Sequence, residues 1–120
     1  MKAKRVLTKR QDFGLVLEKG LSRAGRVVVV KAVISGLDVA RYGLVASKKV
    51  GGAVVRNRAR RRLREVLRRI ELKPGWDVVF IIRRAIDTAA FTAINEEVRT
   101  LLASSRLLLD DNEKDCLGFN

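Results

Sequence analysis

The order of predicted helices and strands in this chain is typical of an α+β domain, in which helices pack on a small mixed sheet. Segments with helical periodicity and valine-rich segments follow one another as helix, strand, strand, helix, strand, helix. The chain has 120 residues and is 48% hydrophobic, which is enough apolar material for one modest core but not for two. We therefore predict one α+β domain, a small sheet with helices packed on it, in residues 1–109, followed by an acidic tail, residues 110–120, without fixed structure.

The first predicted element is a short helix over residues 10–18. Phe13, Val16 and Leu17 fall at positions i, i+3 and i+4, which places their side chains on one side of a helix. Gly20 follows directly and is a typical helix stop.

Two apolar segments then predict strands, one over residues 26–34 and one over residues 41–47. Residues 35–38 between them read Ser-Gly-Leu-Asp, a sequence typical of turns. Because so short a connection suits antiparallel neighbours, we expect the two strands to pair with each other as a hairpin.

Three elements complete the prediction. Residues 53–70 have the strongest helical pattern, and Lys-Pro-Gly at residues 73–75 breaks the chain after it. Residues 76–82 predict a third strand that is largely buried. Residues 88–108 predict a closing helix whose apolar side chains lie on one side.

The charge of the chain indicates its kind of partner. A formal charge of +13 and a pI near 11.1 favour nucleic acid or an anionic membrane surface. No apolar run is long enough to cross a membrane, and the first residues lack the apolar core of a signal peptide. We therefore expect a reduced, cytoplasmic protein.

The chain offers little for protein-based catalysis. Histidine is absent, and the single cysteine, Cys116, lies in the acidic tail, which leaves no disulfide and no thiolate metal cluster. The carboxylates of Asp77 and Asp87 stand singly near strand ends, and we expect them to serve turns or helix caps.

The helix over residues 53–70 divides into an apolar stripe and an arginine-rich surface. At 100° per residue, the stripe consists of Val55, Ala59, Leu63, Val66, Leu67 and Ile70, which should pack on the sheet. The opposite side carries Arg56, Asn57, Arg60, Arg61, Arg64 and Arg68, and a flank carries Arg58, Arg62 and Arg69. Glu65, the only acid of the helix, can pair with Arg61 or Arg69. Because this many like charges destabilise a helix in water, the pattern indicates a polyanionic partner.

Three alternatives remain for a protein of this charge. A structural RNA-binding protein, such as a ribosomal protein, agrees with the composition. A DNA-binding basic helix is disfavoured, because such a helix has no apolar stripe and continues into heptads. A membrane-surface helix is disfavoured as well, because the apolar stripe contains no bulky aromatic residue.

The segment over residues 41–69 contains a specific motif. An apolar strand leads into Ser-Lys-Lys, then a turn with two glycines, then a helix that reads Ala-Val-Val-Arg-Asn-Arg-Ala-Arg-Arg-Arg-Leu-Arg-Glu. This motif resembles that of the protein subunit of bacterial ribonuclease P. Residues 7–13 are similar to the first helix of that family, and residues 75–83 are similar to a family strand that ends in an arginine.

The resemblance implies a compact α–β sandwich similar to domain 2 of ribosomal protein S5, with two parallel strands joined through the basic helix by a left-handed crossover. It implies an RNA-binding subunit of an endoribonuclease that removes the 5′ leader from precursor tRNA, with catalysis by the RNA subunit and its Mg²⁺ ions. The implied partners are ribonuclease P RNA and precursor tRNA. We expect no DNA or membrane partner, no catalytic or metal-binding residue in the protein, and a monomeric protein in isolation.

The same resemblance implies two binding surfaces. The residues expected to contact the catalytic RNA are Arg56, Asn57, Arg58, Arg60, Arg61, Arg64 and Arg68. The residues expected beside the single-stranded leader are Phe13, Leu17, Lys31, Ser47, Lys48, Lys49 and Arg83.

The leader-binding surface departs from the family in its aromatic residues. The family usually has aromatic side chains at the position of Leu17 and near Val28 and Lys31, and only Phe13 remains here. Stacking on an aromatic ring contributes about 1–3 kcal/mol per base. We therefore expect the leader to be held more by charge and aliphatic contact, with a weaker preference among bases.

Overall fold

The computed structural model describes residues 4–108, which form a five-stranded mixed sheet and three α-helices. The strands are β1 (Lys4–Val6), β2 (Leu21–Ala24), β3 (Val28–Ile34), β4 (Ala40–Val45) and β5 (Trp76–Ile82). The helices are α1 (Arg10–Lys19), α2 (Ala53–Leu67) and α3 (Phe91–Ser104), and a 3-10 helix, Arg84–Thr88, links β5 to α3. The predicted α+β class is confirmed. The predicted acidic tail with Cys116 lies outside the described residues.

The strand β5 lies at the centre of the sheet, whose strand order is β1-β4-β5-β3-β2. β4 and β5 are parallel and are connected through α2, and β1 is parallel to β4. β3 is antiparallel to β5, and β2 is antiparallel to β3. The sequence of β5, Trp-Asp-Val-Val-Phe-Ile-Ile, suits the central position because helices cover both faces of the sheet there.

The predicted hairpin between the first two predicted strands is wrong, because β5 lies between β3 and β4. All seven residues of β3 pair with residues of β5. Gly75, just before β5, lies between the ends of the two strands. Its carbonyl accepts a hydrogen bond from Ser35 N–H at 2.8 Å, and its own N–H donates to the Val39 carbonyl at 3.2 Å. The turn signal therefore marks a wider connection that passes the start of β5.

Two strands were missed, and several helix boundaries differ from the prediction. β1 has three residues, and β2 has four residues that are all exposed, so neither shows the apolar alternation that identifies a strand. α2 ends at Leu67, although Ile70 beyond it remains buried as predicted. The segment predicted as one closing helix begins at Phe91 and is preceded by the separate 3-10 helix.

The core lies on both faces of the sheet. On one face, called here the α2–α3 face, Phe80 of β5 packs with side chains of α2 and α3 such as Leu63 and Ile94. On the other, called the α1 face, a smaller cluster contains Val16 of α1 and Val79 of β5. Since side chains alternate along a strand, neighbouring residues of β5 serve opposite faces. The fold therefore presents two different surfaces on the two sides of one sheet.

Candidate nucleic-acid interface

The apolar stripe of α2 packs on the sheet as predicted. Ala59, Leu63, Val66, Leu67 and Ile70 are buried in the main core, and Val55 is partly buried against it. The first turn of α2 contains no acidic residue, and its N-cap, Gly52, offers no side-chain cap. The partial positive charge at the start of the helix therefore adds to the charge of the arginines.

The outer surface of α2 carries the residues expected to contact the catalytic RNA. Asn57, Arg58, Arg61, Arg64 and Arg68 are exposed, and Arg56 and Arg60 are half-buried. The side-chain oxygen of Asn57 accepts a hydrogen bond from Arg60 at 3.1 Å. None of the seven residues is buried, so all of them lie on the part of the helix that the core does not use.

Glu65 does not pair with Arg61 or Arg69 as expected. It pairs with Arg68 at 3.1 Å, and both side chains are well exposed. Arg69 lies beyond the last helical residue, so the i+4 geometry needed for its pairing with Glu65 is lost. An exposed ion pair of this kind contributes little, and the cationic surface of the helix stays largely unneutralised.

Two arginines of α2 connect this helix to the 3-10 helix. Arg58 forms an ion pair with Asp87 at 2.5 Å, with both side chains partly exposed. Arg62 donates hydrogen bonds to the carbonyl of Ile86 at 2.8 Å and to the carbonyl of Ala89. The expected turn or capping role of Asp87 is therefore wrong. Arg62, on the flank of α2, attaches this helix to the 3-10 helix.

On the α1 face, two side chains of α1 form one wall of a cleft. The ring of Phe13 lies directly on Gly43 of β4, where a Cβ atom would come within 2.4 Å of the ring carbons. Glycine at this position therefore lets the Phe13 ring lie on the strand, and a larger residue would displace the ring. Phe13 and Leu17 are both partly buried with Val45 and Ile81, so each of them can serve the core and the cleft together.

The floor of the cleft is a row of strand residues that α1 covers only in part. Ile81 of β5 is in register with Val45 of β4 and with Val29 of β3, and all three are half-buried. The row lies near the carboxyl ends of β4 and β5. The groove between α1 and this row is called the cleft.

Cations border the cleft at the carboxyl ends of the two parallel strands. Ser47, Lys48 and Lys49 follow β4, Arg83 follows β5, and all four are exposed. The hydroxyl of Ser47 accepts the Lys49 N–H at 3.3 Å, which shapes a tight turn before α2. A cavity of about 780 Å³ separates this turn from the 3-10 helix, with Lys48, Lys49, Arg84 and Asp87 among its lining residues.

Lys31 lies on the cleft side of β3, and its side chain holds α1 in place. Its ammonium group donates a hydrogen bond to the Leu17 carbonyl at 3.0 Å, near the C-terminal end of α1, where carbonyls lack helical partners. Val28, near which the missing aromatic residues were expected, is fully buried on the α2–α3 face. Because side chains alternate along β3, the cleft residue at that point is Val29.

An ion-pair cluster that sequence reasoning missed fixes the start of α1. Arg41 donates hydrogen bonds to both carboxylate oxygens of Asp77, at 2.8 and 2.6 Å, and lies 3.4 Å from the carboxylate of Asp12. The hydrogen bond with Asp77 raises the pKa of Arg41 above its usual range. Asp77 is 3% exposed, so its expected turn or capping role is wrong. The available signal was a charged residue inside the apolar sequence of β5.

Neither a metal site nor a membrane span occurs in the described part of the chain. No group of three histidine, cysteine, aspartate or glutamate residues within residues 4–108 could hold a metal ion. The described helices are too short or too polar to cross a membrane.

A basic helix on one face of the sheet and a cation-bordered cleft on the other are properties of an RNA-binding protein. Residues 1–106 match the family model for ribonuclease P. A ribonuclease P protein component from Dehalococcoides mccartyi is 45% identical over 114 residues, which cover 95% of each chain. The chain therefore belongs to the ribonuclease P protein family, as its motif predicted.

Solved structures of the family have the same fold. A mutant RNase P protein from Staphylococcus aureus matches with a TM-score of 0.77 at 28% identity, covering 85% of this chain and 88% of that one. The RNase P protein from Thermotoga maritima matches with a TM-score of 0.72 at 32% identity, covering 82% and 94%.

The role of this family is that of the RNA-binding subunit of ribonuclease P, an endoribonuclease that processes the 5′ end of tRNA. Catalysis is carried by RNA, and the RNA–protein complex needs divalent metal. The function and enzyme class predicted from the sequence are confirmed at this level.

Proposed function

We propose that this protein binds two RNAs at once, the catalytic RNA on the outer surface of α2 and the single-stranded leader of precursor tRNA in the cleft. The observation that supports this function best is the position of the two surfaces. They lie on opposite faces of one sheet, and the turn that contains Lys48 and Lys49 connects β4 directly to α2. Neither RNA would then block the other.

The proposed contacts with the catalytic RNA are made by arginine guanidinium groups on phosphate oxygens, which their planar donor geometry suits. The proposed residues are Arg56, Asn57, Arg58, Arg60, Arg61, Arg64 and Arg68. Arg58 already pairs with Asp87, so an RNA phosphate would compete with that carboxylate or share the guanidinium with it.

The proposed leader site combines an apolar floor with a cationic border, as other single-strand binding surfaces do. The proposed residues are Phe13, Leu17, Lys31, Ser47, Lys48, Lys49 and Arg83. The lysines and Arg83 would contact the leader backbone, and Phe13 offers a ring for one base. Lys31 would act mainly through its hydrogen bond to α1.

Mg²⁺ is the proposed divalent ion, held mainly by the RNA subunit. The protein would lower the magnesium requirement, because its cations offset part of the repulsion between the phosphates of the two RNAs. We also propose that the protein is a monomer in isolation and that it acts in the cytoplasm. Its proposed partners are ribonuclease P RNA and precursor tRNA, without DNA or membrane partners.

Cleavage of precursor tRNA at low magnesium tests this function. A bacterial ribonuclease P RNA is incubated with the substrate, with and without this protein, and the 5′ cleavage products are measured. We expect the protein to restore correct cleavage at magnesium concentrations at which the RNA alone is slow. Binding of the RNA without any stimulation of cleavage would instead support a purely structural RNA-binding protein.

A further inference from the structure

The turn between β2 and β3 is held by a carboxylate of α3. Glu97 of α3 accepts three backbone hydrogen bonds, from the N–H groups of Arg26, Val27 and Val28, at 2.9, 2.8 and 3.0 Å. Gly25 lies against the same carboxylate, since a Cβ atom at this position would come within 2.5 Å of a carboxylate oxygen of Glu97. One side chain of α3 thus binds three consecutive backbone N–H groups of the turn.

The same turn holds Arg83, one of the proposed leader residues, at two points. The Arg83 N–H donates a hydrogen bond to the Val27 carbonyl at 2.8 Å, and its guanidinium group donates to the Gly25 carbonyl at 2.9 Å. The Gly25 carbonyl belongs to the same peptide group as the Arg26 N–H, and the Val27 carbonyl to the same one as the Val28 N–H, so both acceptors lie on peptide groups that Glu97 binds. The side chain of Arg83 is exposed, so the bond to Gly25 limits a guanidinium group that would otherwise move freely.

Glu97 and Arg83 bind different groups of the same turn, since Glu97 accepts from its N–H groups and Arg83 donates to its carbonyls. Glu97 belongs to α3, which packs on the α2–α3 face. Arg83 directly follows β5, at the end of the strand where Ile81 contributes to the floor of the cleft. The turn therefore couples the position of α3 to the position of the Arg83 guanidinium group at the border of the cleft.

We infer that Glu97 is a positioning residue for leader binding, which acts by fixing the turn that anchors the Arg83 guanidinium group at the cleft. This inference rests on the proposed function of the cleft. The carboxylate of Glu97 suits three donors because both of its oxygens only accept hydrogen bonds. An amide in its place has one accepting oxygen, and its NH₂ group would face a backbone N–H. The turn would then relax, and Arg83 would lose its fixed acceptor.

The expected direction of the effect separates positioning from simple electrostatics. Removal of a negative charge beside a leader site should strengthen the binding of an RNA, because the local potential becomes more positive. Loss of positioning should weaken it. Glu96 is the matched control, because it is an exposed acid next to Glu97 on the same helix, and Glu96→Gln makes the same change of charge.

The experiment uses holoenzyme reconstituted with ribonuclease P RNA and measures the affinity for precursor tRNA relative to mature tRNA, which isolates the contribution of the leader. The variants are Glu97→Gln, Glu96→Gln, Arg83→Ala, and the double variant of Glu97→Gln with Arg83→Ala. We expect Glu97→Gln to weaken the leader contribution by about twofold to tenfold, the range that corresponds to one hydrogen bond. Glu96→Gln should leave it unchanged or strengthen it slightly.

The double variant decides whether Glu97 acts through Arg83. We expect Glu97→Gln to have no further effect on the leader contribution once Arg83→Ala is present. Additive losses, or a gain of affinity in Glu97→Gln, would overturn the inference. Affinity for the catalytic RNA should be the same in all variants, and a parallel loss of that affinity would mean a general structural role and would overturn it too.

A second variant tests the same idea with the charge of Glu97 intact. In Gly25→Ala the new methyl group displaces the carboxylate, and we expect the same selective loss of the leader contribution. If Arg83→Ala has no effect, the inference fails, since there is then no leader contact to position. The proposed function would still be tested separately by Lys48→Ala and Lys49→Ala, which alter the cleft border without touching the turn.

Discussion

Phe13 supplies an aromatic ring to the cleft. Leu17, one turn further along the same side of α1, supplies an aliphatic side chain to the same wall. Both are partly buried in the same cluster. We predict that Leu17→Phe strengthens the binding of precursor tRNA by at most about 1–3 kcal/mol, because a second ring allows another base to stack. We also expect a sharper preference among leader sequences. The measurement is holoenzyme affinity for precursors whose leaders differ only in base sequence.

Leu15→Phe is the control for this gain of a ring. Leu15 lies on the same helix but is 46% exposed and does not belong to the cluster on the α1 face. This variant should behave as the original protein does. Equal affinity and equal base preference in Leu17→Phe would show that the Leu17 position does not contact a base.

Single residues were predicted well where a local pattern identifies them and poorly where the partner is distant in sequence. The buried stripe of α2 follows from helical periodicity alone. The pairing of Arg41 with Asp77 joins residues 36 positions apart, on two strands whose pairing local patterns did not predict. The hydrogen bonds of Glu97 to the turn span 69 to 71 positions and have no local signal at all.

At the level of elements, α2 presents exposed arginines and also binds the 3-10 helix through an arginine, and its sequence does not separate these two roles. Arg61 and Arg62 are adjacent arginines in one basic run, and local sequence treats them alike. Arg61 is exposed, whereas Arg62 donates to two carbonyls that end the 3-10 helix. The difference depends on where the 3-10 helix lies after folding, which helical periodicity cannot indicate.

We predict opposite phenotypes for these two arginines. Arg61→Ala should weaken assembly with the catalytic RNA and flatten the salt dependence of log K by about 0.7–0.9 per lost phosphate contact, with stability almost unchanged. Arg62→Ala should lower the free energy of unfolding by about 1–3 kcal/mol, because two partly buried carbonyls lose a charged donor. Salt-dependent RNA binding and urea unfolding measure the two effects.

Each of the two variants is the control for the other, since both remove one arginine from the same helix. An unchanged salt dependence in Arg61→Ala would remove this residue from the RNA surface. Unchanged stability in Arg62→Ala would show that the 3-10 helix is held in place without these two hydrogen bonds.

The sheet order shows why elements can be predicted correctly while their pairing is not. The turn sequence between β3 and β4 is genuine, but a turn signal does not specify which strands become neighbours. Both strands gain more from pairing with β5, whose apolar residues are covered on both faces only at the centre of the sheet. The family motif implied this parallel β4–α2–β5 arrangement, whereas local patterns alone favoured a hairpin.

At the level of the whole molecule, the sheet separates two cationic surfaces. The α2 surface is a field of arginines that faces away from the core, and the cleft border has lysines and Arg83 around an apolar floor. A formal charge of +13 on 120 residues gives both surfaces a long-range attraction for RNA. Local chemistry distinguishes them, because a field of guanidinium groups suits a folded RNA backbone and an apolar floor suits unstacked bases.

This separation predicts that the two surfaces act independently. Arg61→Ala should lower affinity for the catalytic RNA without changing the contribution of the leader, and Lys49→Ala should do the reverse. Because the two surfaces lie on opposite faces and share no hydrogen-bond partner among the described residues, their effects in the double variant should add within about 0.5 kcal/mol. Assembly and leader-dependent binding are measured on the same reconstituted complexes. A coupling energy well above that limit would mean that the turn from β4 to α2 links both RNAs, and the protein would then have one continuous RNA-binding surface.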